Sequence, residues 1–201
     1  MNPNQPNTLL PSYFDDVYTA NADPWGFEFK PYEQAKYADT LASLPRPFYE
    51  SAFEIGCSLG VLTAQLAARS GALLAVDGSE KPLSRARELC RDLSQVTIKQ
   101  MQVPEEFPEQ LFDLVVVSEV GYYWSPDDLA RAQAKILEHL SAGGQLMLVH
   151  WTPFVHDYPL TGDDVHESFL ALKGLRHLHG HREEKYRLDV LERVSAVRAA
   201  R

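Results

Sequence analysis

Cysteine is nearly absent. Cys57 and Cys90 are the two in 201 residues, too few for a disulfide scaffold and without the spacing of a metal site. A reducing compartment, the cytoplasm, is the expectation, and so is the absence of a resident metal. No apolar run approaches the roughly 20 residues a membrane-spanning helix needs. The opening MNPNQPNTLLPS lacks the basic start and long apolar stretch of an export signal. Excess positive charge is missing too: 19 Lys and Arg stand against 28 Asp and Glu, for a net charge of -9 at pH 7. Phosphate contacts favour a basic face, so nucleic acid is not expected as a partner, and an anionic membrane surface is disfavoured for the same reason. Repeats, low-complexity tracts and linkers are also lacking, which leaves one domain.

What is present is an ordinary globular balance, 45% hydrophobic and 23% charged, with alternating strand and helix patterns. The first ten or so residues are polar and read as a loose arm. Residues 13–49 are rich in aromatics, with a helix expected from about Tyr32 to before Pro45. Strands are expected at 51–55, 72–77, 96–101, Phe112–Ser118 and 145–150. The helices between them fall at 61–70, with Gly71 as a left-handed cap, at 80–93 behind the capping Ser79, and from Ser125-Pro126-Asp127-Asp128 to Leu140. A loop, a helix at 163–173 and two edge strands should finish the chain. Near-continuous apolar strands imply a mostly parallel sheet covered on both faces. The expected fold is thus α/β and Rossmann-like, with seven strands and an antiparallel C-terminal strand. Its parts are an arm and helical lid (1–49), a cofactor-binding βα core (50–150) and an acceptor loop, helix and closing strands (151–201).

In such sheets ligands sit beyond the carboxyl ends of the strands. After the first strand comes Glu54-Ile55-Gly56-Cys57-Ser58-Leu59-Gly60, which admits three readings. The dinucleotide fingerprint fails, because Ser58 and Val61 stand where its second and third glycines belong. The nucleophile elbow G-x-S-x-G matches in letters, with Asp157 and His166 as formal triad partners, but no established sheet or oxyanion segment precedes Ser58. The third reading is the methyltransferase loop, acidic-x-Gly-x-x-x-Gly, for S-adenosylmethionine. That ligand has no pyrophosphate and needs fewer glycines; Gly56 lets the backbone approach it closely, and Glu54 can hold its amino end.

Asp77, closing the second strand, can accept hydrogen bonds from both ribose hydroxyls, the device that binds ribose in NAD proteins. Together with the shortened glycine loop it favours S-adenosylmethionine over NAD. Gly78 and Ser79 follow it in the next turn, and Gln102 and Val103 fall where an adenine edge and face would lie. Ser118, Glu119 and Val120 end the fourth strand. His150 and Trp151 end the fifth.

Phe112-Asp113-Leu114-Val115-Val116-Val117-Ser118-Glu119-Val120-Gly121-Tyr122-Tyr123 resembles the fourth-strand motif of nodulation protein S-like methyltransferases. Asp23-Pro24-Trp25-Gly26, Tyr32-Glu33, Lys36-Tyr37 and Glu54–Gly60 are similar to the same family, over roughly residues 13–123. The resemblance implies a class I methyltransferase fold, S-adenosylmethionine as cofactor, S-adenosylhomocysteine as product, and a small acceptor such as an amino sugar, since founding members N-methylate a chitooligosaccharide amine. His150-Trp151 and Tyr158–Asp163 look more like bacterial relatives fused to a sugar-type deacetylase, which suggests a deacetylase-type pathway partner. The family further suggests that the aromatic N-terminal segment is a lid, with Trp25, Tyr32 and Lys36 on the cofactor and Lys36 facing the methionine carboxylate.

The sulfonium donor is already activated, so the enzyme must chiefly align the acceptor with the methyl group. Glu119, Tyr122, Tyr123 and His150 cluster at the ends of strands four and five: His150 is the candidate base, Glu119 can orient an amine, and Tyr123 and Trp151 can shape the acceptor pocket or hold a cation. Two rival functions are a serine hydrolase using Ser58 and a non-catalytic S-adenosylmethionine-binding module. His177, His179 and His181 alternate and are expected on one solvent-facing edge without metal.

Overall fold

The computed structural model describes residues 7–194. Seven strands, β1 (Tyr49–Ile55), β2 (Ser70–Asp77), β3 (Val96–Gln100), β4 (Phe112–Ser118), β5 (Leu140–Trp151), β6 (Leu175–Arg182) and β7 (Tyr186–Arg193), form a single sheet. Its order is β3-β2-β1-β4-β5-β7-β6. The first five strands are parallel, and β7 runs antiparallel between β5 and β6. The expected mostly parallel, seven-stranded architecture is what the chain forms.

Alternation along the central strands explains the layers. Val115, Val117, Leu146 and Leu148 face one way, onto Leu129 and Ile136 of α5 (Pro126–His139). Leu114, Val116, Met147 and Val149 face the other, onto Tyr37 of α2 (Pro31–Ala42) and Leu62 and Leu66 of α3 (Val61–Leu66). Both faces are apolar because both are covered. The helix starts are locally encoded: Ser125 Oγ accepts from the Asp128 amide at 3.1 Å, and Ser79 Oγ accepts from the Lys81 amide at 3.2 Å to start α4 (Glu80–Leu89). Thr161 and Asp164 form a reciprocal capping box on α6 (Gly162–Leu170). Strand order reverses between β1 and β4, so their carboxyl ends open the crevice where a ligand is expected.

Several elements differ from expectation. Gly71 is not a left-handed cap; β2 already starts at Ser70, and a Cβ on Gly71 would sit 3.0 Å from the Glu50 carbonyl oxygen. Strand β5 starts at Leu140, because Gly143 (φ +72°) bends the chain without ending the pairing. Helix α4 stops at Leu89, and Cys90 is its C-cap. A helix was missed: α1 (Pro11–Ala20), with Pro11 at its first position. The arm is tied down from Thr8, whose Oγ1 accepts from the Ser125 amide at 2.7 Å, while the Leu9 amide donates to the Tyr123 carbonyl at 2.9 Å. Residues 1–6 of the expected arm and 195–201 of the C-terminal segment lie outside the described residues.

The three histidines of β6 do not act as a set. A register shift between His177 and His179 breaks their alternation. Their rings go to Asp189, to the Ser43 carbonyl and to Asp39 respectively. Among the described residues no group of three metal-binding side chains occurs.

Candidate active site

A cavity of about 600 Å³ opens at the carboxyl ends of β1, β2, β4 and β5, roofed by α1 and residues 24–36. Its floor near β1 and β2 is backbone. Gly56 (φ +81°) turns the chain so that its amide and that of Cys57 both donate to the Val76 carbonyl, at 2.8 and 2.9 Å. A Cβ on Gly56 would stand 2.9 Å from Val120 Cβ, so glycine is required twice over, by conformation and by space. Gly60 (φ +79°) packs likewise, its missing Cβ 2.9 Å from Ala86. The glycine spacing that suggested the loop therefore reflects two close approaches.

Asp77 anchors this wall. Its carboxylate accepts the Ser58 amide at 3.0 Å and the Ser79 amide at 2.9 Å, which fixes it beside the cavity with lone pairs to spare. Burial pushes its pKa up to about 6, and the Asp15 charge adds to the rise. Ser79 itself is buried, its hydroxyl donating to Asp15 of α1 at 2.6 Å. Gly78, Gln102 and Val103 also line the cavity. Ser58 (φ +49°) shares a 2.5 Å hydroxyl contact with Tyr18 of α1. Nothing in the sequence singled out Tyr18; the proline-started helix that carries it was the available signal.

Glu54 and Ser118 do not reach the main cavity. They border an adjoining space of about 30 Å³ with Gly56 and Glu119. Glu54 is buried, one carboxyl oxygen lacks a partner, and burial raises its pKa to about 8. Cys57 does not line the main cavity; it borders the same adjoining space and packs against Ala75 and Leu83.

The β4–β5 side is built from side chains. Glu119 (φ +57°) accepts from Lys36 Nζ at 2.5 Å, from the Tyr122 hydroxyl at 2.6 Å and from the Trp151 amide at 2.8 Å. Lys36 is buried, and its ammonium also lies 2.9 Å from Glu33. Its pKa is raised, because the two carboxylates outweigh the burial that would lower it. Lys36 was expected to face a ligand carboxylate; it is instead held between two protein carboxylates. Asp23 explains the Asp23-Pro24-Trp25-Gly26 motif: its carboxylate accepts the amides of Gly26, Phe27 and Glu28 at 2.8, 2.8 and 3.0 Å, setting Trp25 over the cavity. Tyr32 packs edge-on against Trp151, while Tyr122 stacks on Tyr158 with ring centres 5.1 Å apart. Tyr123 lies edge-on to Phe14 and Tyr122, its hydroxyl 3.4 Å from that of Tyr158.

His150 is fully buried behind this wall and does not line the cavity. Its Nε2 accepts the Gly121 amide at 3.1 Å, and its Nδ1 lies 3.0 Å from His166 Nε2. The expected base has no lone pair facing the cavity. The hydrolase alternative also loses its triad: His166 is bound to Asp189 at 2.7 Å, and Asp157 lies beside exposed His156.

The geometry agrees with known proteins. The family described as nodulation protein S (NodS) matches residues 16–150. Nodulation protein S of Rhizobium tropici is 31% identical over 127 residues, 62% of this chain and 53% of that protein. This chain therefore spans about half the length of that relative. A solved structure of a putative methyltransferase from Pseudomonas syringae is 35% identical and covers 82% of this chain and 100% of its own, with a TM-score of 0.73. The N-methyltransferase NodS of Bradyrhizobium japonicum WM9, solved in complex with S-adenosyl-L-homocysteine, is 22% identical over 90% of this chain and 97% of its own, with a TM-score of 0.80. The last two likenesses give the sheet its name, the class I methyltransferase fold. Since the match at residues 16–150 takes in the aromatic segment over the cavity, the glycine loop, Asp77 and the β4 motif alike, this chain belongs to the nodulation protein S family.

Proposed function

We propose that this protein is a methyltransferase that moves the methyl group of S-adenosylmethionine to an N or O nucleophile of a small molecule. The observation that carries this reading is Asp77, fixed at the end of β2 by two backbone amides and facing a cavity that continues past the Gly56 turn to Glu119. The ribose diol would donate to Asp77, and the adenine would lie along Gln102 and Val103. The amino end would approach Glu54 through the small adjoining space. A cationic group there favours the ionised form of a carboxyl that burial otherwise keeps protonated near neutrality. Trp25 and Tyr32 would close over the cofactor, and Tyr123 and Trp151 would border the acceptor.

The cofactor supplies an electrophilic methyl group. The chain's own residues bind, orient and keep water out, which is the larger share of what such a transfer needs. An amino sugar or oligosaccharide is the favoured acceptor, as membership of the nodulation protein S family suggests; the Bradyrhizobium japonicum protein is an N-methyltransferase. A deacetylase-type partner that frees the amine, a cytoplasmic setting, and an organisation of lid (1–49), cofactor core (50–150) and acceptor part (151–201) belong to the same proposal. So do the absence of nucleic-acid and membrane partners. No helix among the described residues is long and apolar enough to cross a membrane.

Isothermal titration with S-adenosylhomocysteine tests the reading. Micromolar-range binding that weakens in Asp77→Ala supports it, and no binding to folded protein overturns it. Binding without methyl transfer to any amine or hydroxyl acceptor would favour the non-catalytic alternative.

A further inference from the structure

Behind the acceptor wall runs a buried hydrogen-bond chain that the transfer chemistry leaves unused. It starts at Asp189 of β7, whose Oδ2 lies 2.7 Å from His166 Nδ1 of α6. His166 Nε2 lies 3.0 Å from His150 Nδ1 of β5, and His150 Nε2 accepts the Gly121 amide at 3.1 Å. Both rings are fully buried. The protons can be placed in one way only. The Gly121 N–H requires His150 Nε2 to be bare, so His150 carries its proton on Nδ1 and donates to His166 Nε2. His166 then carries its own proton on Nδ1 and donates to Asp189. Each ring has one donor and one acceptor in use, which is the full capacity of a neutral imidazole.

Gly121 begins the short turn Gly121–Tyr123. A Cβ at this position would sit 2.9 Å from His150 Nε2 and 2.7 Å from Val165, so the glycine of the β4 motif is there to let the imidazole in. The turn carries Tyr122, whose hydroxyl holds Glu119, and Tyr123, which borders the cavity.

We propose that His150 and His166 are positioning residues: the chain from Asp189 fixes the proton order that holds the Gly121 amide, and with it the Tyr122–Tyr123 wall of the acceptor pocket. A single added proton undoes the order. Placed on His150 Nε2 it points at the Gly121 N–H. Placed on His166 Nε2 it meets His150 Nδ1–H and drives that ring into the other tautomer, again turning a donor on Gly121. The charged surroundings bear on where this happens. Asp189 is also engaged by His177 of β6 and Arg187 of β7, both at 2.7 Å. Arg187 further pairs with Glu167 and Asp163 of α6, and Lys36 of α2 and Glu119 lie on the pocket side. Burial holds His150 well below its ordinary value, with His166 and Lys36 adding to the effect, and it lowers His166 against the opposing pull of Asp189. The neutral rings thus stabilise the fold above the ordinary histidine pKa of about 6.5, and that contribution falls as pH drops below it.

The inference rests on the methyltransferase reading only for the name of the pocket, and its test uses no ligand. In ¹⁵N NMR of the whole protein at pH 7.5, both imidazoles should be neutral and protonated on Nδ1, and the Gly121 amide should exchange slowly with solvent. Relative to an unstructured amide at the same pH, its exchange should quicken by an order of magnitude or more between pH 7 and 5. His166→Leu, which leaves His150 Nδ1–H without an acceptor, should quicken it at pH 7.5. His166→Gln, whose side-chain oxygen can stand in for Nε2, should restore protection. A proton found on His150 Nε2, or equal Gly121 protection in wild type and His166→Leu, overturns the proposal. Unfolding of His166→Leu would leave the tautomer measurement on wild type and His166→Gln to decide. Loss of S-adenosylhomocysteine binding would sink the function while leaving these signals untouched.

Discussion

Around Asp77 the cavity wall is made of backbone: two amides on one carboxylate and a glycine turn bonded to the Val76 carbonyl. Around Glu119 it is made of side chains drawn from distant elements, Lys36 from α2 and Tyr122 from beyond β4, with a buried histidine pair behind them. The first wall is set once the strand–turn–helix units fold. The second depends on charge pairs that have to find one another across the sheet. This difference teaches where each half is vulnerable. Substitutions near Asp77 should cost ligand affinity with little loss of stability, whereas substitutions near Glu119 should cost stability first.

The largest effect is expected at Lys36. Lys36→Met removes the cation from between Glu33 and Glu119 and leaves two carboxylates facing each other in a buried site. Breaking a buried pair on one side typically costs about 3–5 kcal/mol, and urea unfolding would read it as a lower midpoint at unchanged slope. Glu33, already raised by burial and then freed of the lowering effect of Lys36, should rise further. A stability unchanged from wild type would erase the contrast, since it would mean that the β4–β5 wall does not depend on its charges.

Asp77→Ala is the matching test on the other wall. Hydrogen bonds to a charged group contribute about 1.5–3 kcal/mol each, so the loss of a diol pair should weaken S-adenosylhomocysteine binding by roughly a hundredfold or more, with a smaller change in stability. The pH dependence has a definite sign. In the free protein Asp77 is raised to about 6, so its ionisation costs the fold stability as pH rises from its unfolded value toward 6. Hydroxyl donors on the carboxylate favour the ionised form and pull the pKa back down. Binding near pH 6 should therefore release a proton, and affinity should fall below that pH. Titration in two buffers of different ionisation heat measures the release; proton uptake would contradict this role for Asp77.

The same division decided what could be read from the sequence. Gly56, Gly60 and Asp77 occupy fixed places in local βα units, and the β4 motif is a contiguous run, so the fold and the Asp77 side of the cavity were legible. His150 was legible as a residue at a strand end but not in its job. Its partners are Gly121, 29 positions away, and His166, 16 away, and only the folded packing shows that both nitrogens are used. The pairing of Lys36 with Glu119 spans 83 positions, and no local pattern encodes it. Helix α1 escaped because its residues are half-exposed or exposed and give no buried stripe.

Glu54→Gln offers an intermediate effect. The carboxyl is buried with one oxygen unpartnered, and glutamine keeps its shape while removing its ability to ionise. If the ligand's amino group draws a charge onto Glu54, the substitution should weaken S-adenosylhomocysteine binding by about tenfold, equivalent to roughly 1.4 kcal/mol. S-adenosylhomocysteine lacking the amino group should bind wild type and variant alike. If it instead discriminates between them, Glu54 acts on some other part of the ligand.

The smallest expected change sharpens the comparison most, because it sits where a side chain touches the backbone-built wall. Tyr18 of α1 meets the Ser58 hydroxyl at 2.5 Å, and Ser58 in turn donates its amide to Asp77. Tyr18→Phe removes one partly buried hydrogen bond, a loss of about 1 kcal/mol. If the bond's role is to hold α1 over the cavity, S-adenosylhomocysteine affinity should fall a few-fold, Ser58→Ala should do the same, and the double variant should be no worse than either single one. The Asp77 geometry is supplied by the Ser58 amide, which both substitutions keep, so neither should approach the loss seen in Asp77→Ala. A Tyr18→Phe defect as large as that of Asp77→Ala would mean that the roof, rather than the backbone, sets the Asp77 wall, and the division between the two halves of the cavity would have to be redrawn along α1.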